Sequence, residues 1–356
     1  MLITRQHHPD NLETPAHALL EPLTPAHYVR SHFAVPALDA AEFRLKVAGQ
    51  VASPLSLSLA ELRALPATTR TLTLECAGNG RVYLTPKASG VQWEVGAVGT
   101  AQWTGVPLRT LLERAGVADN AREVVLVGAD EGQMDDPVKS PGHIYYSRSL
   151  PLSKALDNVL LADEMNGEAL TPAHGAPLRA IVPGWYGMAA VKWLTEIRVI
   201  DHAYQGYFQT VDYARWERQD GLPPVRVPLS EMRVKSQILT PAPHACLQAG
   251  DHLELCGAAW TGGERTVQRV EVSTDGGQSW QDAEWQQDAA PGVWRHWHLS
   301  WTPQQPGEVK LLSRATDSAG QVQPAAHDPH RGSYEVHHIV AVPVTVKAKQ
   351  EHKEKS

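Results

Sequence analysis

The sequence predicts a mixed α+β domain followed by an all-β sandwich of the immunoglobulin type. Three observations carry this expectation. Helix-like and strand-like patterns alternate as far as about residue 230, only strand-like runs follow, and turn signals punctuate those runs at short intervals. At 356 residues the chain is long enough for two domains of ordinary size, placed at 1–230 and 231–346, with a polar tail over 347–356.

Taken in order, "EFRLKVAGQV" (42–51) alternates like a half-buried strand. Ser58 and Glu61 have the spacing of a capping box, which opens a short helix running to Leu65. Leu108, Leu111, Leu112 and Ala115 recur at helical spacing in "VPLRTLLERAG" (106–116), with Gly116 as the stop. "EVVLVGAD" (123–130) and "LRAIVPG" (178–184) read as buried strands, and "DGLPPVRVP" (220–228) reads as a linker. Beyond it "DHLELCGAAW", "TVQRVEVST", "VWRHWHLSW" and "EVKLLSRATD" are strand-like, and "TDGGQS" (274–279) is a hairpin turn. Several such strands within about 110 residues indicate an immunoglobulin-like sandwich.

Composition excludes several function classes. A net charge of −7 argues against nucleic acid as a partner, because phosphate binding wants a basic face. No apolar run reaches the ~18 residues of a membrane span. The N-terminal "MLITRQHHPDNLETPAH" lacks the apolar core of a secretory signal, so a cytoplasmic location is expected, with a periplasmic one left open. Cys76, Cys246 and Cys256 form neither a CxxC pair nor a zinc pattern.

The chemistry concentrates at "TLECAGNGR" (73–81). Leu72, Leu74 and Cys76 share one strand face, and the chain then turns through Gly78, Asn79 and Gly80, residues that tolerate positive φ, to reach Arg81. Cys76 has three readings: a small buried hydrophobe, a nucleophile needing a distant histidine, or a ligand to a soft metal. One thiolate cannot hold a metal alone, so the third reading requires an organic cofactor to supply the other ligands. Such a cofactor needs cationic forks for phosphate and backbone amides from glycine turns. His174, Arg179 and Lys192 in "TPAHGAPLRAIVPGWYGMAAVKWLTEIRV" (171–199), and Arg30 and His32 in "HYVRSHFAVP" (27–36), are suitable anchors. Taken singly, each also fits an ordinary role as a solvated cation or a hydrogen-bonded structural histidine.

Nearly the whole chain resembles the molybdopterin-dependent sulfite oxidase family, in its haem-free bacterial form. The resemblance rests on "YVRSHFAVPALDAAEFRLKVAG", "TLECAGNGR", "GVQWEVGAVGTAQWTGVPLRTLL", "LPLSKALDNVLLADEMNGEALTPAHGAPLRAIVPGWYGMAAVKWL" and "YFQTVDY". "GAAWTGGERTVQRVEVSTDGGQSW" and "RATDSAGQVQP" are similar to that family's immunoglobulin-like dimerisation domain. The resemblance implies a sulfite oxidase fold for the first domain and oxidation of sulfite to sulfate at a molybdenum–molybdopterin cofactor. It also implies Cys76 as the sole protein ligand to molybdenum. Tyr28, Val29, Arg30, Ser31 and His32, with Asp130, His174, Arg179, Ala190, Val191 and Lys192, are the implied cofactor contacts. Arg30 and Tyr213 are implied to bind the substrate oxyanion, with Arg81 adding positive charge beside the metal ligand.

The sequence also departs from the family. Vertebrate members carry an arginine where Gly80 stands, a lysine where Ser89 falls and an arginine–histidine pair at Ala189 and Ala190, so this pocket is less basic. Lys87 is the nearest substitute for the missing lysine, and Arg295 is a candidate for the arginine that the second domain contributes to the family pocket. His296 and His298 have H-x-H spacing but read as sheet decoration, and Cys246 and Cys256 read as packing residues. No haem motif is present, so electrons are expected to pass to a separate acceptor: a c-type cytochrome, a cytoplasmic carrier or oxygen. A homodimer is expected, with anchors among Trp260, Trp280, Trp285, Trp294, Trp297 and Trp301. Two alternatives stand beside sulfite oxidation: a molybdopterin-dependent reductase of S-oxides or N-oxides, and a cofactor-free scaffold whose sandwich domain binds a partner.

Overall fold

The computed structural model describes residues 1–218 and 220–349 and divides into two compact units. The first comprises Met1–Pro15, Leu23–Met232 and Asp328–Val336; the second comprises Ala16–Pro22, Arg233–His327 and the described chain from His337 onward. Two short segments thus belong to the unit opposite their sequence neighbours. The tail expected over 347–356 lies outside the described residues from position 350 on.

The first unit holds two five-stranded sheets. One runs in the order Glu168–Ala169, Leu160–Met165, Val98–Pro107, Thr68–Glu75, with Arg179–Ile181 also pairing with Leu160–Met165. The other runs Leu55–Ser58, Arg44–Gly49, Leu194–Ile200, Glu123–Gly132, Ile144–Pro151, and its one parallel pair joins Leu194–Ile200 to Arg44–Gly49. Alternation explains Arg44–Gly49, where Leu45 and Val47 are fully buried. The capping box forms as its spacing predicts: Glu61 N donates to Ser58 Oγ at 3.2 Å and Ser58 N to Glu61 Oε2 at 2.8 Å. That helix spans Leu59–Arg63, two residues shorter than expected. The helix Leu108–Ala115 buries all four of its periodic residues and stops at Gly116, whose φ of 67° only glycine adopts readily.

The stretch 220–228, expected as a linker, is only partly one. Val225–Pro228 is a strand, paired antiparallel with Ala214–Glu217 so that Ala214 faces Pro228 and Trp216 faces Arg226. The chain turns at Asp220 and Gly221, the latter with φ 74°, and the period-2 pattern of Val225 and Val227 carries the strand.

The second unit contains nine strands in a four-stranded and a five-stranded sheet. "TDGGQS" lies between Val267–Ser273 and its antiparallel partner Gln281–Asp282, where Asp275 accepts hydrogen bonds from the amides of Gln278 and Ser279. The tryptophans expected to anchor a dimer are mostly spent inside this unit. Trp260, Trp294 and Trp297 are buried, and the guanidinium groups of Arg295 and Arg314 cover Trp285 and Trp280 at 3.8 and 4.2 Å. Arg295 is committed in the same place, donating to the carbonyls of Gln287 and Val267, so its expected role in the pocket is not supported. His296 Nε2 bonds Leu19 O at 2.8 Å, while His298 lies near Glu254 and Glu284. Cys256 is half-buried, but Cys246 is exposed, contrary to the packing role expected of it. No helix among the described residues is long and apolar enough to cross a membrane.

Candidate active site

The site starts where the strand Thr68–Glu75 ends. Cys76 is the next residue and is buried, its N–H donating to Ala97 O at 2.8 Å. Asn79 holds the turn closed: its N–H donates to Cys76 O, its Nδ2 to Glu75 Oε1, and its Oδ1 accepts from Ala97 N at 3.1 Å. Of the two glycines only Gly80 needs positive φ, at 94°. Gly78 serves another purpose, because a Cβ there would lie 2.3 Å from the Arg81 guanidinium. The glycine lies in the expected turn, its carbonyl accepting from Arg81 N at 3.0 Å, and also makes room for a charge. Burial raises the Cys76 thiol pKa, and Arg81 and Arg30 oppose that rise.

Inside Cys76 lies a deep pocket. Tyr28, Val29, Arg30, Ser31, His32, Asp130, His174, Arg179, Ala190, Lys192 and Tyr213 all line it with Cys76, although they come from segments up to 185 residues apart in sequence. Asn11 positions one wall, its Oδ1 accepting from Ser31 N at 3.0 Å and from Arg30 at 3.3 Å. Lys192 donates to Ser31 Oγ at 2.8 Å and Ala173 O at 3.0 Å; Arg179 donates to His174 O and Ala190 O and rests over Trp103 at 4.9 Å. His32 stacks on Tyr146 and shares a 2.7 Å hydrogen bond with the Tyr213 hydroxyl. Burial, reinforced by Arg30 and Lys192, holds His32 well below the usual imidazole range. Tyr213 itself has φ 51°, a strained value for a bulky residue.

Outside Cys76 the pocket opens into a vestibule of about 510 Å³, which shares Arg30, Ser31, His32, Cys76 and Tyr213 with it. Arg81 lines this vestibule. Its Nε donates to Ser333 O at 3.1 Å, its NH1 to Val91 O at 2.7 Å, and its face lies 5.1 Å from the Tyr334 ring centroid. Tyr334 donates to Asp212 Oδ1 at 2.5 Å and packs against Tyr213 with ring centroids 4.8 Å apart.

The deep pocket is short of negative charge. Arg30, Arg179 and Lys192 converge on it against one carboxylate, Asp130, which burial pushes up to about 6. Burial and the neighbouring arginines pull Lys192 well down, and burial takes Arg179 to about 10. Asp130 Oδ1 and Arg179 Nε are buried without a protein partner. Among the described residues no group of three or more His, Cys, Asp or Glu is arranged to hold a metal. A phosphate-bearing heteroaromatic cofactor fits this donor set: the cations suit its phosphate, Asp130 suits ring N–H groups, and Cys76 supplies one thiolate.

Fold and pocket together define the molybdopterin-binding class. Residues 32–208 match the family model of the oxidoreductase molybdopterin binding domain, and residues 226–336 that of the Mo-co oxidoreductase dimerisation domain. The mitochondrial sulfite oxidase of Drosophila melanogaster is 38% identical over 341 residues, covering 89% of this chain and 58% of that protein. The sulfite oxidase of Gallus gallus is 36% identical over 343 residues, covering 90% of this chain and 72% of that one. The sulfane dehydrogenase SoxCD from Paracoccus pantotrophus superposes with a TM-score of 0.81 at 32% identity, over 95% of this chain and 85% of that chain. The chain belongs to the sulfite oxidase family, and it spans little more than half the length of the fly relative.

Two of the expected site residues stand apart from the deep pocket: Arg81 lines only the vestibule, and Val191 lines neither cavity, packing behind with its carbonyl accepting from Ala180 N. Ser89 lines the vestibule, whereas the exposed Lys87 lines neither cavity. The sequence reading missed His27, Tyr146 and Trp193 in the pocket, and Asp212 and Tyr334 at its mouth. Asp212 and His27 adjoin residues that were singled out, so adjacency was a usable signal; Tyr334 lies in a stretch assigned to the other domain and left none.

The buried imidazoles make a pH prediction. Burial takes His27 to about 4 and His174 to about 3, so the fold favours their neutral forms. The stability they contribute is complete above about pH 6.5 and is lost as pH falls toward those values. Metal-free protein should lose about 2 kcal/mol between pH 6.5 and 5 through His27 alone, and His27→Phe should lose correspondingly less. Urea midpoints at the two pH values measure this; identical pH dependence in the variant rules the assignment out.

Proposed function

We propose that this chain is a molybdenum-cofactor oxidoreductase that oxidises sulfite to sulfate and passes the electrons to an external acceptor. One observation carries the reading: a single buried thiol, flanked by Arg30 and Arg81, sits where a cation-rich pocket meets an open vestibule. When bound, the molybdenum–molybdopterin group supplies the centre for two-electron oxygen transfer. Cys76 is its sole protein ligand. Tyr28 to His32, Asp130, His174, Arg179, Ala190 and Lys192 would hold its organic part, with Arg179 and Lys192 opposite its phosphate and Val191 packed behind that wall.

Arg30 and Tyr213 hold the substrate. Arg30 stays cationic and offers its remaining donors as a fork, while Tyr213 is kept protonated because burial raises its pKa. The Tyr213 hydroxyl shares a 2.7 Å hydrogen bond with His32 Nε2, which fixes the direction of the phenol. Arg81 acts differently. It lines only the vestibule, where the carbonyls of Ser333 and Val91 hold it, and it adds positive charge beside Cys76. The second unit, proposed to be immunoglobulin-like, supports a homodimer, in keeping with the dimerisation-domain match.

Protein purified from a host that makes molybdopterin should carry about one molybdenum per chain by elemental analysis, and Cys76→Ala should lose it while keeping its fold. Folded wild-type protein that stays metal-free in that host contradicts the reading. Arg30→Gln should retain molybdenum but lower kcat/KM for sulfite by roughly 10- to 200-fold, the loss of a charge-assisted contact. Arg179→Gln should instead lower molybdenum occupancy. If Arg30→Gln sheds the metal, its assignment to the substrate is wrong. Light scattering at micromolar concentration should report particles of twice the 38.9 kDa chain mass; monomers alone would remove the dimer.

A further inference from the structure

The vestibule is much larger than sulfite requires. Sulfite has four heavy atoms and fills roughly the space of two waters, about 60 Å³, against the 510 Å³ present. The inner end, at Cys76, belongs to the cofactor and the reacting oxyanion. The outer wall has no counterpart in sulfite. Tyr334 stands there against Tyr213, with Val91 and Met134 adding apolar surface to the lining. The Tyr334 ring is fixed at three points: its hydroxyl on Asp212, its face on Arg81, and the neighbouring Glu335 N–H on Ala77 O at 2.8 Å. Arg81 and Tyr213 occupy part of the ring, and the part left lining the vestibule is apolar surface for an uncharged body.

The charge of the vestibule agrees. Arg5, Arg30 and Arg81 face Asp135, Asp136 and Asp212, so three cations stand against three carboxylates. A lining without surplus positive charge suits a monoanion better than a dianion. Arg30 presents a planar fork matched to two oxygens.

We infer that the site also oxidises organic sulfinates, R–SO₂⁻, to sulfonates, with the organic group lying against Tyr334. The inference rests on the function proposed above. The balance is R–SO₂⁻ + H₂O → R–SO₃⁻ + 2 H⁺ + 2 e⁻. The sulfur lone pair becomes the new S–O bond, water supplies the oxygen, and both electrons leave to two equivalents of a one-electron acceptor such as ferricyanide. Sulfite undergoes the same change with a hydroxyl or oxide in place of R.

The test uses molybdenum-loaded protein with ferricyanide and, separately, sulfite, methanesulfinate and benzenesulfinate, the sulfonates being identified by mass spectrometry. Benzenesulfinate should yield benzenesulfonate, with kcat/KM about tenfold above methanesulfinate because the ring packs on Tyr334. Tyr334→Ala should lower the benzenesulfinate-to-sulfite ratio of kcat/KM about tenfold, whereas Tyr334→Phe, which keeps the ring, should hold it within about threefold. Calorimetric titration with the product benzenesulfonate gives a readout apart from turnover: its Kd should weaken about tenfold in Tyr334→Ala and little in Tyr334→Phe. Sulfite oxidation with no sulfonate from either sulfinate overturns this inference and leaves the sulfite reading standing. A loaded protein that oxidises none of the three overturns both. An unchanged ratio and Kd in Tyr334→Ala remove Tyr334 from recognition.

Discussion

The Arg81 guanidinium, wedged where Gly78 and Gly90 leave no room for a Cβ, is the constraint on which the site is built. It is buried, and it donates to Val91 O and Ser333 O while lying over Tyr334. One side chain therefore joins three separate stretches: the turn after Cys76, the loop around Val91 and the segment 328–336. Each needs the others. Without the glycines the charge has no slot, and without the two carbonyls the buried cation lacks the hydrogen bonds that offset its desolvation.

The surrounding backbone shows the same tension. Trp193, Tyr213 and Glu335 adopt φ of 49°, 51° and 50°, in a region that side chains rarely occupy. Such conformations cost on the order of 1–3 kcal/mol each and persist only where neighbours over-determine them. Those neighbours are visible. Trp193 Nε1 donates to Pro172 O, Tyr213 N to Asp212 Oδ1, and Glu335 N to Ala77 O. The strain buys placement of the phenol of Tyr213 beside His32 and of Tyr334 at the mouth.

Electrostatics then sorts the cavity into two halves. The inner pocket gathers three cations around one carboxylate of raised pKa, a deficit of negative charge that a phosphate-bearing ligand removes. The outer vestibule sets three arginines against three aspartates. Cys76 sits at the junction, and Arg30 faces both sides. The division follows from placing cationic side chains beside the thiol and carboxylates beyond it, so the same arginine lines a cation-rich pocket and a charge-balanced mouth.

Much of this was legible in the amino-acid order. Strand-like runs identified Arg44–Gly49 and, in the second unit, Leu253–Trp260, Val267–Ser273, Arg295–Trp301 and Gly307–Asp317. The Ser58–Glu61 box set the start of Leu59–Arg63 and Gly116 the end of Leu108–Ala115, because these depend on residues within one turn or one strand. The short stretches around Arg30, Cys76, Arg179 and Lys192 were recognisable one by one, and eleven of the expected side chains do meet Cys76 at the deep pocket. The hairpin at Val225–Pro228 was obscured because prolines outweigh two valines in a local reading. Gly78 was legible as a turn residue, but only the folded chain shows the guanidinium it also accommodates. Tyr334 could not be found at all. Its role depends on 328–336 joining the first unit through contacts with Ala77, Arg81 and Asp212, all at least 122 residues away in sequence. Local order determined many of the strands and caps and singled out the thiol of Cys76 at the end of one of them. Tertiary structure alone decided which charges surround that thiol and which ring guards its mouth, because long-range packing sets both and no local pattern encodes it.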